Sequence, residues 1–154
     1  MGQNMFDVSR DQARQFFFDV RKKSQHSLPL TPLEDVALTI IQHHPEYHAM
    51  LDDPQRYLDK DWRSEEGISN PFLHLGLHLA IEEQLSIDQP PGIKGHYDRL
   101  CHSLKDEHQA RHVLLESLTE MIWQAQVNQE PFNNQNYLVI IEERMRQLGI
   151  EFRP

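Results

Sequence analysis

The sequence predicts an all-α protein, a compact bundle of five or six helices that forms a single domain over residues 1–154. Apolar residues recur every three or four positions in segments bounded by helix caps, proline or glycine. No strand ladder is indicated, because the one β-like run, YLVII at 137–141, leads into EERMRQLG and a helix-stopping Gly149. The length of 154 residues is that of one ordinary domain.

The first part of the chain predicts two helices, each with its own start signal. Asp7 or Ser9 can cap a first helix that runs to about Lys23. The stretch Thr31–Glu34 (TPLE) is a capping box with proline at the first helical position. The second helix therefore begins there, and we expect it to end near His43.

The remaining helices are separated by a loop and by firm breaks. Residues 52–70 are polar and acidic, and predict a long loop with room for one helical turn. Asn70-Pro71 begins the next helix, residues 88–92 (DQPPG) end it, and Asp106 is a suitable N-cap further on. The predicted helices cover residues 71–86, 93–104, 107–126 and 137–148.

Charge and cysteine content indicate which binding partners and which cellular compartment to expect. The formal net charge is −9, which repels nucleic-acid backbones and anionic membranes, so neither is expected as a partner. The single cysteine, Cys101, cannot form an intramolecular disulfide. The N-terminal residues lack the apolar region of a signal peptide. A cytoplasmic protein is the expectation.

Histidine is the unusual component, and its spacing indicates a metal site. Ten of the 154 residues are histidine. Two predicted helices carry the same pattern, two imidazoles and one carboxylate at steps of four, which places the three side chains in a row along one side of a helix. Imidazole and carboxylate are transition-metal ligands, so the rows predict one or two bound ions of iron, zinc or manganese. The candidate ligands are His74, His78 and Glu82 in the first row and His108, His112 and Glu116 in the second.

The first row is the stronger candidate because its helix is apolar on both flanks. Leu73 and Leu77 lie on one side of the row, and Leu75 and Leu79 on the other. A carboxylate such as Glu82 in a buried helix costs several kcal/mol unless it is paired. The sequence leaves open whether the two rows face each other. It also leaves open the ordinary interpretation, in which histidine and glutamate hydrogen-bond along an exposed helix.

A third cluster, His43–His48 (HHPEYH), is interpreted differently. Pro45 interrupts helical geometry, so His44 and His48 are not a regular pair one turn apart. The favoured interpretation is a helix C-terminus stabilised by the positive charge of imidazolium. An extra metal ligand or a proton shuttle at the mouth of the site is the alternative.

Several long strings resemble an uncharacterised bacterial family, of proteobacterial type, of small His-rich helical proteins with a domain of unknown function. The resemblance covers most of the chain and implies a cytoplasmic protein, but it implies no activity and no site residues. The strings are Asn70–His74 (NPFLH), Glu82–Gln84 (EEQ), Ile87–Gly92 (IDQPPG), Ile122–Gln126 (IWQAQ) and His44–His48 (HPEYH).

Two functions follow from these observations. The first is a helical-bundle metalloprotein with the two rows as ligands; the spacing does not decide whether it is an enzyme. The second is a non-catalytic helical adaptor whose histidines are structural and whose acidic loop 52–70 binds a protein partner. Substrate and oligomeric state are not indicated by the sequence.

Overall fold

The structure, a computed structural model, describes residues 5–62 and 70–151. The described residues are all-helical, as predicted, and contain no strand. None of their helices is both long and apolar enough to span a lipid bilayer. The α-helices are α1 (Met5–Gln25), α2 (Pro32–Gln42), α3 (His48–Leu51), α4 (Pro54–Tyr57), α5 (Pro71–Ile87), α6 (Ile93–Leu104), α7 (Glu107–Asn128) and α8 (Asn134–Gln147), with a 3₁₀ turn at Pro45–Tyr47.

The predicted count of five or six helices is slightly too low for the described residues, which contain eight α-helices. The six longer ones are those that the sequence predicts. The two additional helices, α3 and α4, are four residues long each, too short to show a periodic pattern. The predicted loop 52–70 contains α4 as its one helical turn, and its residues 63–69 lie outside the described part.

The chain divides into two compact units, Met1–Leu79 and Ala80–Pro154, with the division inside α5. The prediction of a single domain is not tested by this division, since one helix runs through it.

In the first unit, α1 and α2 pack together around an aromatic and aliphatic core. The capping box forms as predicted: the Glu34 backbone N–H donates to Thr31 Oγ1 at 3.2 Å, and the Thr31 N–H donates to the Glu34 carboxylate at 2.9 Å. Lys23 of α1 forms an ion pair with the same carboxylate at 2.7 Å. The fully buried side chains of this core include Val20, Ala37, Ile41 and Leu75.

Arg14 of α1 binds the backbone of the segment that follows α4. It is 2% exposed, and one guanidinium nitrogen donates to the carbonyls of Leu58 and Lys60 at 2.7 and 2.8 Å. The guanidinium lies 5.0 Å from the ring centre of Phe72 and 5.3 Å from that of Trp62. Arg14 thus joins α1, the segment 58–62 and the first turn of α5.

In the second unit, α7 packs against both α6 and α8. Asp106 caps α7 and Asn133 caps α8, each through its side-chain oxygen. Gly149 follows α8 with a φ of 76°, the left-handed conformation that glycine adopts without strain. The buried side chains shared by these helices include Ile93, Leu100, Leu114, Ile141 and Met145.

Candidate metal centre

His44 is placed by the end of α2 and by the proline that follows it. Its backbone is non-helical, with φ −128° and ψ 64°, because Pro45 disfavours helical geometry at the preceding residue. The side chain returns to the helix end, where Nδ1 donates to the carbonyl of Ile40 at 2.7 Å. His48 likewise donates from Nε2 to the carbonyl of Ile41 at 2.9 Å. Each of these carbonyls also accepts a backbone hydrogen bond, Ile40 from the His43 N–H and Ile41 from the His44 N–H, so the imidazoles add a second donor at the end of α2.

The second nitrogen of His44 meets two histidines of α5. His44 Nε2 lies 3.2 Å from His74 Nε2, and His74 Nε2 lies 3.1 Å from His78 Nε2. His74 and His78 are one helical turn apart, so their side chains project from the same side of α5. His44 and His78 are 5% and 3% exposed, and His74 is half-buried. Three imidazole nitrogens therefore converge in a partly buried place within the first unit.

The hydrogen bond to Ile40 fixes the proton on one His44 nitrogen. A carbonyl only accepts, so Nδ1 carries a proton, and in the neutral ring Nε2 then presents a lone pair. If His74 carries a proton on Nε2, that single hydrogen has to serve both His44 and His78. If it does not, two lone pairs face each other at 3.2 Å. A cation among the three nitrogens would accept all three lone pairs.

The spacing also suits a transition-metal ion. Zinc–imidazole bonds are ~2.0–2.1 Å long, so two nitrogens on a tetrahedral ion are ~3.3 Å apart. The two observed separations, 3.1 and 3.2 Å, lie close to that value. The donor atoms of the three histidines all lie within 4.8 Å of one another.

Tyr47 covers one side of the cluster. Its ring is parallel to that of His44, with 5.5 Å between the centres and 4° between the planes. It meets the His74 ring edge-on at 6.1 Å. Burial raises the pKa of the Tyr47 hydroxyl, which keeps this neighbour neutral beside the three imidazoles.

Within the first unit, the structure brings His74 and His78, which were predicted from the sequence, together with His44, which the ligand prediction omitted. His44 was missed because the pattern at residues 43–48 indicated a helix C-terminus. His44 does lie at the end of α2, where Nδ1 donates to the carbonyl of Ile40, and its Nε2 lies against His74. The sequence did contain one clue to the position of His44, namely Pro45, which gives the preceding residue a non-helical backbone.

The other four predicted ligands belong to the second unit. Glu82 accepts a hydrogen bond from Arg111 Nε, and Glu116 lies 3.1 Å from Arg144. The pKa of Arg111 is raised overall: partial burial alone would lower it, but the hydrogen bond and charge of Glu82 outweigh that effect. On α7, the rings of His108 and His112 lie 4.3 Å apart. The carboxylates in both rows thus have arginine partners.

One family model matches the chain over residues 9–143, and its description is "Domain of unknown function (DUF1841)". Because the match covers most of the sequence, the chain belongs to this family, which confirms the resemblance to a family of unknown function. No curated protein and no solved structure matches the chain significantly.

Proposed function

We propose that this member of the DUF1841 family binds one transition-metal ion through the Nε2 atoms of His44, His74 and His78. The observation that carries the proposal is the convergence of the three nitrogens at 3.1–3.2 Å in a partly buried place. The tautomer of His44 supports it, because the hydrogen bond to Ile40 holds Nε2 ready as an electron-pair donor.

The donor set favours some metals over others. Imidazole suits zinc, iron, copper and nickel, whereas manganese prefers oxygen ligands. Of the three metals expected from the sequence, zinc and iron therefore fit better than manganese. A set of three histidines on one ion also favours a mononuclear site over the dinuclear alternative.

Three protein ligands leave a coordination position for water. In catalytic zinc sites such a water becomes acidic enough to attack a substrate near neutral pH. The negative net charge of −9 favours cation uptake in general, although it selects no particular ion.

The sequence also predicts His112 and His108 as ligands. That prediction was made from the repeated spacing in the two rows, and the three-histidine proposal does not depend on it. The same holds for the carboxylates Glu82 and Glu116, whose arginine partners would have to be displaced before they could bind a cation.

The proposal is tested by metal analysis of the untagged protein taken directly from cells. We expect about one equivalent of a single transition metal per chain. After chelation, zinc and cobalt(II) should bind again and raise the melting temperature, since a ligand stabilises the state that binds it. Cobalt(II) adds a visible spectrum that reports the nitrogen ligands.

Two variants give the test its specificity. His44→Gln should abolish the metal-dependent rise in melting temperature, whereas His43→Gln, the exposed neighbouring residue, should retain it. His48→Gln is the second control, because it also removes a helix-end hydrogen bond but no proposed ligand. A wild type without metal, and without a thermal shift on adding zinc, iron or cobalt, would instead support the helical adaptor with structural histidines.

A further inference from the structure

Tyr47 packs against two of the three histidines that we assign as metal ligands. The centre of its ring lies 5.5 Å from that of His44 and 6.1 Å from that of His74. Both separations fall in the range of roughly 4.5–7 Å that aromatic pairs prefer. His44 ends α2 and His74 belongs to α5, so one side chain outside the ligand set contacts both elements that hold the cluster.

The 3₁₀ turn fixes where the Tyr47 ring lies relative to His44. Pro45 begins the turn, and the backbone N–H of Tyr47 donates to the carbonyl of His44 at 3.0 Å, which closes it. In such a turn, side chains three positions apart lie above one another. The two rings are therefore brought together by the backbone, and they stack with an angle of 4° between their planes.

The contact with Tyr47 differs in kind from the other contacts of the His44 imidazole. Nδ1 donates to the Ile40 carbonyl at 2.7 Å, and Nε2 lies 3.2 Å from His74 Nε2. These two contacts act at the edge of the imidazole, whereas the Tyr47 ring is stacked on it. The χ2 torsion of histidine has a broad energy well, so edge contacts alone leave the ring room to turn. A flat ring stacked on the imidazole opposes that rotation.

We propose that Tyr47 is a positioning residue for the metal site, and that its stacked ring holds the His44 imidazole with Nε2 toward the other two ligands. This inference rests on the proposed function, because it assigns a role to a neighbour of the ligands named there. An imidazole that is held in place before the metal arrives loses less freedom on binding, so the affinity is higher. Both contacts are made by the ring, so the role belongs to the ring and not to the hydroxyl.

The test compares Tyr47→Leu with Tyr47→Phe in the full-length protein, with zinc as the probe. Leucine retains apolar bulk at this half-buried position but has no flat ring. We expect its zinc affinity to fall by roughly 10- to 100-fold, the usual cost of losing a group that orients a ligand. Phenylalanine retains the ring and should bind zinc nearly as tightly as the wild type. Calorimetric titration measures the affinities, and circular dichroism checks that both variants fold.

A second measurement uses the metal-free protein. The Nδ1 proton of His44 is hydrogen-bonded to Ile40, and NMR reports how fast this proton exchanges with solvent. In Tyr47→Leu the imidazole should turn more freely, so exchange should be faster, and Tyr47→Phe should restore the slow exchange of the wild type. The backbone amides of α2 should exchange equally in all three proteins. A merely structural role of Tyr47 would instead change the exchange of these amides as well.

The matched control is Tyr57→Leu, the same substitution at another half-buried tyrosine of the same unit. The ring of Tyr57 stacks on Trp62, with 6.2 Å between the centres, instead of on a proposed ligand. Tyr57→Leu should therefore leave the zinc affinity unchanged.

Two outcomes would overturn the role of Tyr47, and they are distinguishable. If the wild type binds zinc and Tyr47→Leu binds it equally tightly, the positioning role is wrong while the three-histidine site stands. If the wild type binds no zinc, the metal site itself is wrong, and the positioning role fails with it. Equal losses of affinity in Tyr47→Leu and Tyr47→Phe would also contradict the proposal, because the hydroxyl would then be the group that matters.

Discussion

His44 Nδ1 lies 2.7 Å from the carbonyl oxygen of Ile40, and this contact decides the chemistry of the opposite side of the ring. A carbonyl oxygen can only accept, so the nitrogen that faces it must hold the proton. In its neutral form, the same imidazole therefore donates to the end of α2 with one nitrogen and offers a lone pair to His74 with the other.

This relationship predicts the tautomer of His44. Long-range ¹H–¹⁵N NMR of the metal-free protein at slightly alkaline pH should show the proton of His44 on Nδ1. Addition of zinc should leave that proton in place and shift the resonance of Nε2. A His44 ring that is protonated on Nε2 alone would contradict both the helix-end hydrogen bond and the proposed ligand role.

Local signals in the sequence were sufficient to predict where the longer helices begin and end. The capping box at Thr31 and Glu34, the N-cap Asp106 and the stop at Gly149 act within a few residues of the ends they define. The short helices α3 and α4 could not be predicted in this way. Four residues contain only one turn, and a single turn has no period to detect.

In the candidate site as well, contacts within one helix were predicted and contacts between distant residues were not. His74 and His78 were predicted because one helix holds them one turn apart. The contact between His74 and His44 joins residues that are 30 positions apart in sequence, and a periodic pattern within one helix cannot predict such a contact. The arginine partners of the carboxylates were missed for the same reason, since Arg111 is 29 residues from Glu82.

Those arginine partners predict how the carboxylate variants behave. Glu82→Gln and Glu116→Gln should leave the zinc affinity of the protein nearly unchanged, because each carboxylate already pairs with an arginine. His74→Gln should reduce the affinity by more than the roughly 10- to 100-fold that changes in surrounding groups cost. Calorimetric titration with zinc measures each variant.

The same titration decides the separate prediction for His112. If His112→Gln lowers the affinity as strongly as His74→Gln, the ion has a fourth histidine ligand and the coordination sphere is closed. If it does not, the three-histidine site keeps a position for water. A large loss of affinity in Glu82→Gln would count against the assignment of that carboxylate to Arg111.

Arg14 provides a prediction about stability. Its hydrogen bonds to the carbonyls of Leu58 and Lys60 are charge-assisted and partly buried, and Met would remove both. Arg14→Met should therefore lower the free energy of unfolding by about 2–3 kcal/mol, measured by denaturant titration. Burial lowers the pKa of Arg14, but an arginine remains charged at neutral pH even so.

The control for this measurement is Arg10→Met, four residues earlier on α1. Arg10 pairs with the exposed Asp61 at 2.9 Å, and exposed ion pairs contribute at most about 1 kcal/mol. An equal loss of stability in the two variants would show that the carbonyl hydrogen bonds of Arg14 contribute no more to the free energy of unfolding than an exposed ion pair does.

His96 predicts an acid-sensitive component of stability in the second unit. Burial lowers the pKa of His96; the carboxylate of Glu142 at 3.6 Å opposes this effect and Arg99 adds to it. The folded protein therefore takes up the proton less readily than the unfolded chain, in which histidine titrates near pH ~6.5. Stability due to neutral His96 is present above that pH and is lost as the pH falls toward the lower pKa of the folded state.

His96→Gln removes this titration while it retains a polar side chain. We expect the wild type to lose more unfolding free energy than His96→Gln between about pH 7.5 and about pH 5.5, measured on metal-free protein. His102→Gln, at an exposed position of the same helix, should follow the wild type. The comparison is the difference between variants at each pH, so that contributions common to both variants cancel. Identical losses in the wild type and His96→Gln would mean that burial of His96 does not govern the acid response.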